Sequence, residues 1–122
     1  MRHGKSVKKL GRKKEHREAL FRNLLCSLLT YERIKTTLAK AKEVKRLADK
    51  LIAFARVDNL ANRRRAQRIL ADKKLVKKLF AEYAPLFKER KGGYCRIYRS
   101  GFRVGDNAEM AIIELMVKGE KK

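Results

Sequence analysis

Three kinds of residue in this chain could do chemistry: clustered cations, a few carboxylates near the C-terminal end, and tyrosines interleaved with arginines. The cations are the strongest signal. Residues 1–17 hold Arg2, Lys5, Lys8, Lys9, Arg12, Lys13, Lys14 and Arg17 against the single acid Glu15. A second group is Lys35 with the basic helix that follows it, where Lys40, Lys42, Lys45, Arg46 and Lys50 crowd. A third is Arg63-Arg64-Arg65 with Arg68. Guanidinium and ammonium groups in such density bind phosphates, and phosphate neutralisation predicts a steep dependence of binding on salt. Tyr94 and Tyr98, set among Arg96 and Arg99, are of a type that can stack on bases, although a strand tyrosine serves equally as core.

The carboxylates make a weaker case. Asp106, Glu109 and Glu114 lie close enough in sequence for a metal nuclease, yet no histidine is near to act as a base, and solvated loop acids account for them as well. Gly4-Lys5-Ser6 has the ending of a phosphate-binding loop, but the upstream glycine and strand would precede residue 1. His3 and His16 have no metal-pair spacing; flanked by Arg2, Lys5, Lys14 and Arg17, they suit phosphate or base contacts, or simply solvent. Cys26 and Cys95 stand far apart without a Cys-x-x-Cys motif and read as small apolar residues in a reducing compartment. A disulfide between them is not needed for stability. No metal or cofactor is expected.

These groups must be held by a folded frame. The net charge is +21 on 122 residues, yet 44% of the chain is hydrophobic, enough for one ordinary core in one domain. No apolar run approaches the roughly 20 residues of a membrane span. The basic start lacks the apolar stretch of a secretory signal, and it is too rich in lysine, with Ser6 its one hydroxyl, to match a mitochondrial transit peptide well. Residues 1–15 are expected as an extended basic arm, since Gly4 and Gly11 discourage a helix and only Val7 and Leu10 follow Met1 as apolar anchors. Residues 16–118 form the α+β domain and 119–122 a frayed tail.

Within the domain, Leu20, Leu24 and Leu28, flanked by Phe21, Leu25 and Leu29, predict a core helix over 16–30. The β-branched alternation of Arg33 to Leu38 predicts a strand with Ile34, Thr36 and Leu38 on one face. Helical spacing returns over 40–56. Asn59 and Asp72 are cap residues for third and fourth helices, near 60–71 and from 73 to about Ala84, where Pro85 should stop the second of them. Gly92-Gly93 is a turn, Tyr94 to Ser100 a strand, and Gly101 to Asn107 a connection. Met110 to Val117, apolar on both faces, reads as a central strand covered on both sides. The result is a small mixed sheet of about three strands packed with about four helices.

A charge excess of 21 exceeds what solubility requires, so a strongly anionic partner is implied: nucleic acid before membrane or acidic protein. Charge alone does not separate RNA from DNA. Arg63–Arg65 suit phosphates more than base edges, and the basic residues spread over the whole chain, which favours a folded RNA. A DNA-binding architectural or regulatory protein is the alternative.

Several segments, taken together and in order, point to a family. They are Met1-Arg2-His3-x-Lys5-Ser6, Phe21-Arg22-Asn23, Ile34-Lys35-Thr36-Thr37-Leu38-x-Lys40-Ala41-Lys42-Glu43, Asn62-Arg63-Arg64, Lys78-Leu79-Phe80, Gly92-Gly93-Tyr94-x-Arg96-Ile97 and Gly105-Asp106-Asn107-Ala108. The chain resembles the bacterial large-subunit ribosomal protein family numbered seventeen over nearly its whole length. It departs from that family in Ala39 where proline is usual, which would let the second helix start earlier. Lys14-Glu15 stands where Ser-Ser is frequent, and Cys95 where threonine is common.

The resemblance implies a structural, non-enzymatic component of the cytoplasmic bacterial ribosome that takes no small-molecule substrate. It would bind large-subunit ribosomal RNA near the nascent-chain tunnel exit, beside other large-subunit proteins, with the arm threaded between RNA helices. By matching positions it implies RNA contacts at Arg2, His3, Lys5, Ser6, Arg22, Lys35, Thr36, Thr37, Lys40, Arg63, Arg64, Gly93, Tyr94 and Arg96. Charge and position add Lys8, Lys9, Arg12, Lys13, Lys14, His16, Arg17, Lys42, Gly92, Arg99 and Arg103.

Overall fold

The computed structural model describes residues 14–117; the basic arm up to Lys13 and the tail from Lys118 lie outside the described residues. Helix α1 (Lys14–Tyr31) leads into strand β1 (Arg33–Thr37) and helix α2 (Leu38–Ala55). Helix α3 (Leu60–Leu70) follows. A continuous helical segment then runs as α4 (Lys73–Lys78), a wide π-type turn (Leu79–Tyr83) and the short α5 (Ala84–Leu86). Strands β2 (Cys95–Phe102) and β3 (Glu109–Leu115) close the chain as a hairpin. The architecture is α+β with three strands, as the sequence predicts.

The helices begin where side chains can satisfy their first amides. Asn59 accepts from the Asn62 amide at 2.8 Å, and Asp72 accepts from the Lys74 and Leu75 amides at 2.9 and 3.3 Å. Thr37 caps α2 by accepting from the Lys40 amide. Leu38, expected at the end of the strand, is therefore the first residue of the helix, two residues before the predicted start and in line with the absence of proline at Ala39. Lys14 and Glu15, expected in the arm, are helical residues of α1.

Pro85 does not stop the fourth helix. The Ala84 amide reaches back five residues to the Leu79 carbonyl, and this wider turn makes room for a proline ring that would otherwise meet the carbonyl four residues earlier. The segment then ends at Leu86.

The sheet order is β1-β3-β2, with β3 central as predicted. Both pairings are antiparallel, so the sheet is not mixed: the chain crosses through the helices to the far edge and returns by a hairpin to fill the middle. Only one face of β3 is buried. Ala111, Ile113 and Leu115 point into the core with Thr36, Cys95 and the helices. Met110, Ile112 and Glu114 stay partly exposed on the other face, so the expected covering on both sides does not occur among the described residues.

Ala41, Ala48 and Ala55 repeat every seven residues along α2 and are fully buried; their small side chains let the helix lie close to the sheet. Leu51 and Ile52 fill the space beside them, each burial contributing roughly 1.5–3 kcal/mol. Phe21, Leu25, Leu28 and Leu29 bring α1 onto the same core, with Leu20 and Leu24 at its margin. The Leu29 carbonyl, near the end of α1, accepts from the Tyr83 hydroxyl at 2.7 Å and Lys78 Nζ at 3.0 Å, which ties α1 to the fourth helical segment.

Candidate nucleic-acid interface

The third and fourth helices pack side by side because Asn62 and Asp72 fix their starts. Asn62 donates from its side chain to the Phe54 and Val57 carbonyls at 3.0 and 2.8 Å, stapling the end of α2 to the beginning of α3. Between α3 and α4 lies a shallow groove of about 340 Å³ lined by Arg63, Arg64, Gln67, Lys73, Val76 and Lys77. Four of these six are cations and none is an acid. Arg64, Lys73 and Lys77 are exposed and have no acidic partner among the described residues.

Arg63 differs from its neighbours. Its Nε and Nη2 donate to the two Asp58 carboxylate oxygens at 2.6 and 2.8 Å, and its guanidinium lies 4.9 Å from the Phe80 ring centre. The hydrogen bond from Arg63 holds the Asp58 carboxyl below its ordinary range and raises the guanidinium in turn. Arg63 can lie against a phosphate, but its orientation is already set. Arg65 sits 4.1 Å over the Phe54 ring, covering apolar surface with a group that still carries its charge.

A second groove, about 510 Å³, runs between α1, α2 and α3. Its apolar lining includes Phe21, Leu47 and Phe54; Lys14, Arg17, Arg22, Lys50 and Arg68 supply its cations. Arg22 Nε donates to the Ile69 carbonyl at 3.2 Å. Glu43, on its wall, is 3% exposed and paired with Arg46. The first turn of α1, where the arm joins, thus shares a groove with residues of α2 and α3. Helix α3 contributes to both grooves, and in the larger one Arg68 shares a lining with Lys14 and Arg17 of α1 and Lys50 of α2.

The uncovered face of the sheet makes a third surface. Arg33, Lys35 and Thr37 on β1, Ile112 and Glu114 on β3, and Arg96 and Tyr98 on β2 share it by register. Arg96 Nε lies 3.3 Å from Glu114 Oε1, and its guanidinium is 4.8 Å from the Tyr98 ring centre. Burial pulls the Glu114 carboxyl upward, but hydrogen bonds from Tyr98 and Arg96 outweigh it and leave the group below its usual range. Donating that bond to Glu114 raises the Tyr98 phenol. Lys35 is exposed and without an acidic partner among the described residues.

Two predicted contact residues point elsewhere. Thr36 faces the core at 9% exposure, because strand alternation sends it inward with Ala111. Tyr94 is 1% exposed and precedes β2 instead of starting it. Its ring packs edge-on against Phe87 at 5.2 Å, its hydroxyl donates to the Arg90 carbonyl at 3.1 Å and accepts from Arg56 Nη1 at 3.0 Å, and its amide donates to Asp49. Of its two readings, stacking platform or core tyrosine, the structure realises the second.

Gly93 precedes Tyr94 at φ +62°, a conformation that glycine adopts without strain, and both Gly92 and Gly93 are exposed. Thr37 uses one hydroxyl lone pair as a cap and keeps its O–H to donate. Lys14, His16 and Lys42 are exposed, whereas Arg17 and Lys40 are partly so. Arg99 and Arg103 are paired with Glu109 and Asp106. Arg2, His3, Lys5, Ser6, Lys8, Lys9, Arg12 and Lys13 lie outside the described residues.

Sequence reasoning passed over Lys73 and Lys77. Their signal was the four-residue spacing in a helix capped by Asp72, which puts both on one face; that this face borders α3 required the fold. Asp106, Glu109 and Glu114, the carboxylates of the nuclease reading, are each paired with an arginine. Among the described residues no group of three or more His, Cys, Asp or Glu is placed to hold a metal, and no helix is long and apolar enough to cross a membrane. The family model described as Ribosomal protein L17 matches residues 20–116, from within α1 to just past β3.

Proposed function

The chain belongs to the ribosomal protein L17 family of structural large-subunit ribosomal proteins, and from that premise we propose that it binds and stabilises folded large-subunit ribosomal RNA. The observation that carries this reading is the groove between α3 and α4, where four cations and no acid line one concavity. A phosphate backbone lying there would release counterions without displacing any carboxylate from Arg64, Lys73 or Lys77. Lys35 and Thr37 extend the contact along β1, and the arm adds Arg2, Lys5, Lys8, Lys9, Arg12 and Lys13.

The family is structural and not a family of enzymes. The reading calls for no cofactor and no small-molecule substrate. The resemblance further supports a site near the exit of the nascent-chain tunnel, among other large-subunit proteins, in the bacterial cytoplasm.

The test is sedimentation of the tagged full chain from a bacterial lysate at low and high salt. Co-migration with the large subunit through a moderate salt wash is expected. Migration with nucleoid DNA, or free at the top of the gradient, would overturn the reading in favour of a DNA-binding protein or neither. Removing residues 2–13 should lower RNA affinity steeply and leave the circular dichroism of the domain unchanged, because the segment holds six cations and little apolar surface. Loss of the domain's helical signal would show that the arm is part of the core.

A further inference from the structure

The tip of the β2–β3 hairpin, residues 99–109, differs in charge from the rest of the chain. It carries two arginines, Arg99 and Arg103, and two acids, Asp106 and Glu109, so its formal charge is zero on a chain of +21. Both cations are engaged within the tip. Arg99 Nη1 lies 3.5 Å from Glu109 Oε2, and Arg103 donates from Nε and Nη2 to the two Asp106 oxygens at 3.1 and 2.7 Å.

What the tip presents outward is apolar. Phe102 is 64% exposed and Val104 is 98% exposed. A single exposed apolar residue is ordinary, but here a phenyl ring and an isopropyl group stand two residues apart on a braced projection. The Arg103 amide donates to the Ala108 carbonyl at 2.8 Å and the Asn107 amide to the Arg103 carbonyl at 2.9 Å. Asp106 Oδ1 also accepts the Ala108 amide at 3.2 Å. Gly105, at φ +109°, permits the turn. A register shift between Arg99 and Gly101 bends the strand at the base of the tip.

These features select a partner. A polyanion gains little from a surface of zero net charge whose guanidinium groups already hold carboxylates, because few counterions are released there. An apolar cleft gains from covering Phe102 and Val104, and a tip already locked by hydrogen bonds loses little conformational freedom on docking. We propose that the tip inserts Phe102 and Val104 into an uncharged apolar cleft on a neighbouring large-subunit protein and takes no part in RNA binding. The inference rests on the family reading above, whose own test is co-sedimentation of the unaltered chain.

The experiment places a photo-reactive benzophenone amino acid at Val104 of the full chain and irradiates purified large subunits that contain it. One adduct to a single identified large-subunit protein, resistant to RNase and mapped by mass spectrometry to an apolar segment, is the expected result. An RNase-sensitive adduct would overturn the proposal in favour of RNA. So would the absence of any adduct in subunits that contain the variant, since the tip would then stand in solvent. A second measurement uses the double variant Phe102→Ser, Val104→Ser. Its affinity for isolated ribosomal RNA and the salt slope should match the parent, while its loss from subunits during a salt wash should be at least about fivefold faster. Equal rates of loss, or a reduced salt slope, would refute the assignment.

Discussion

Replacing Arg64, Lys73 and Lys77 together by alanine tests whether the groove between α3 and α4 holds phosphate. All three side chains are exposed, so the fold should tolerate the change to within about 0.5 kcal/mol per site. None of them has an acidic partner among the described residues, so each is available to neutralise one phosphate. The slope of log K against log salt changes by about 0.7–0.9 per phosphate contact, so losing three should make it shallower by up to about 2–3. Arg63 serves as the internal comparison. It is already engaged by both Asp58 oxygens and the Phe80 ring, so Arg63→Ala should alter the slope by less than Arg64→Ala. The assay is filter binding of the full chain to large-subunit ribosomal RNA across a salt series, with thermal unfolding followed alongside. A triple variant that unfolds like the parent and keeps its salt slope would refute the reasoning and make the groove a solvated surface.

Other outcomes follow from local geometry. Ala71 ends α3 in the left-handed region at φ +55°, so Ala71→Gly should stabilise the domain by about 0.5–1 kcal/mol, read as a rise of several degrees in Tm; a fall would mean that the alanine is not strained. Burial, reinforced by Asp49, pushes the Cys95 thiol up to about 12, while Cys26, partly exposed, is raised less. Alkylation of the native protein near pH 8 should therefore be slow and confined to Cys26, with Cys95 reacting only on unfolding; equal labelling of both would contradict this packing. Hydrogen bonds from Arg103 and then the Ala108 amide lower the Asp106 carboxyl from 3.8 to about 2. A depressed value means that the lock on the hairpin tip is complete above pH 3.8 and is lost as pH falls through about 2. The Ala108 amide resonance should titrate with a midpoint near the lower value, and a midpoint near 3.8 would show that the lock is absent in solution.

Periodicity, caps and charge were legible in the chain because each depends on neighbours in sequence. Phe21, Leu25 and Leu28 repeat at helical spacing, Asn59 and Asp72 occupy cap positions, and the apolar run from Met110 occupies the centre of the sheet. The family, too, was legible, since its motifs are local. The errors arose where a distant element competed. Pro85 stops a helix by local rules, yet a widened turn anchored to Leu29 through Tyr83 carries the helix past it. Tyr94 alternates with arginines as an exposed strand residue would, yet Phe87, Arg56 and Asp49 draw it into the core.

The sequence by itself determined that this is a folded, strongly basic α+β protein, because net charge and hydrophobic period are properties of composition and order. Only the tertiary structure decided which cations are available. Burial and pairing depend on what lies across a helix interface or a strand pair, and that is where Arg64, Lys73 and Lys77 were left open to solvent while Arg63, Arg99 and Arg103 were given carboxylates.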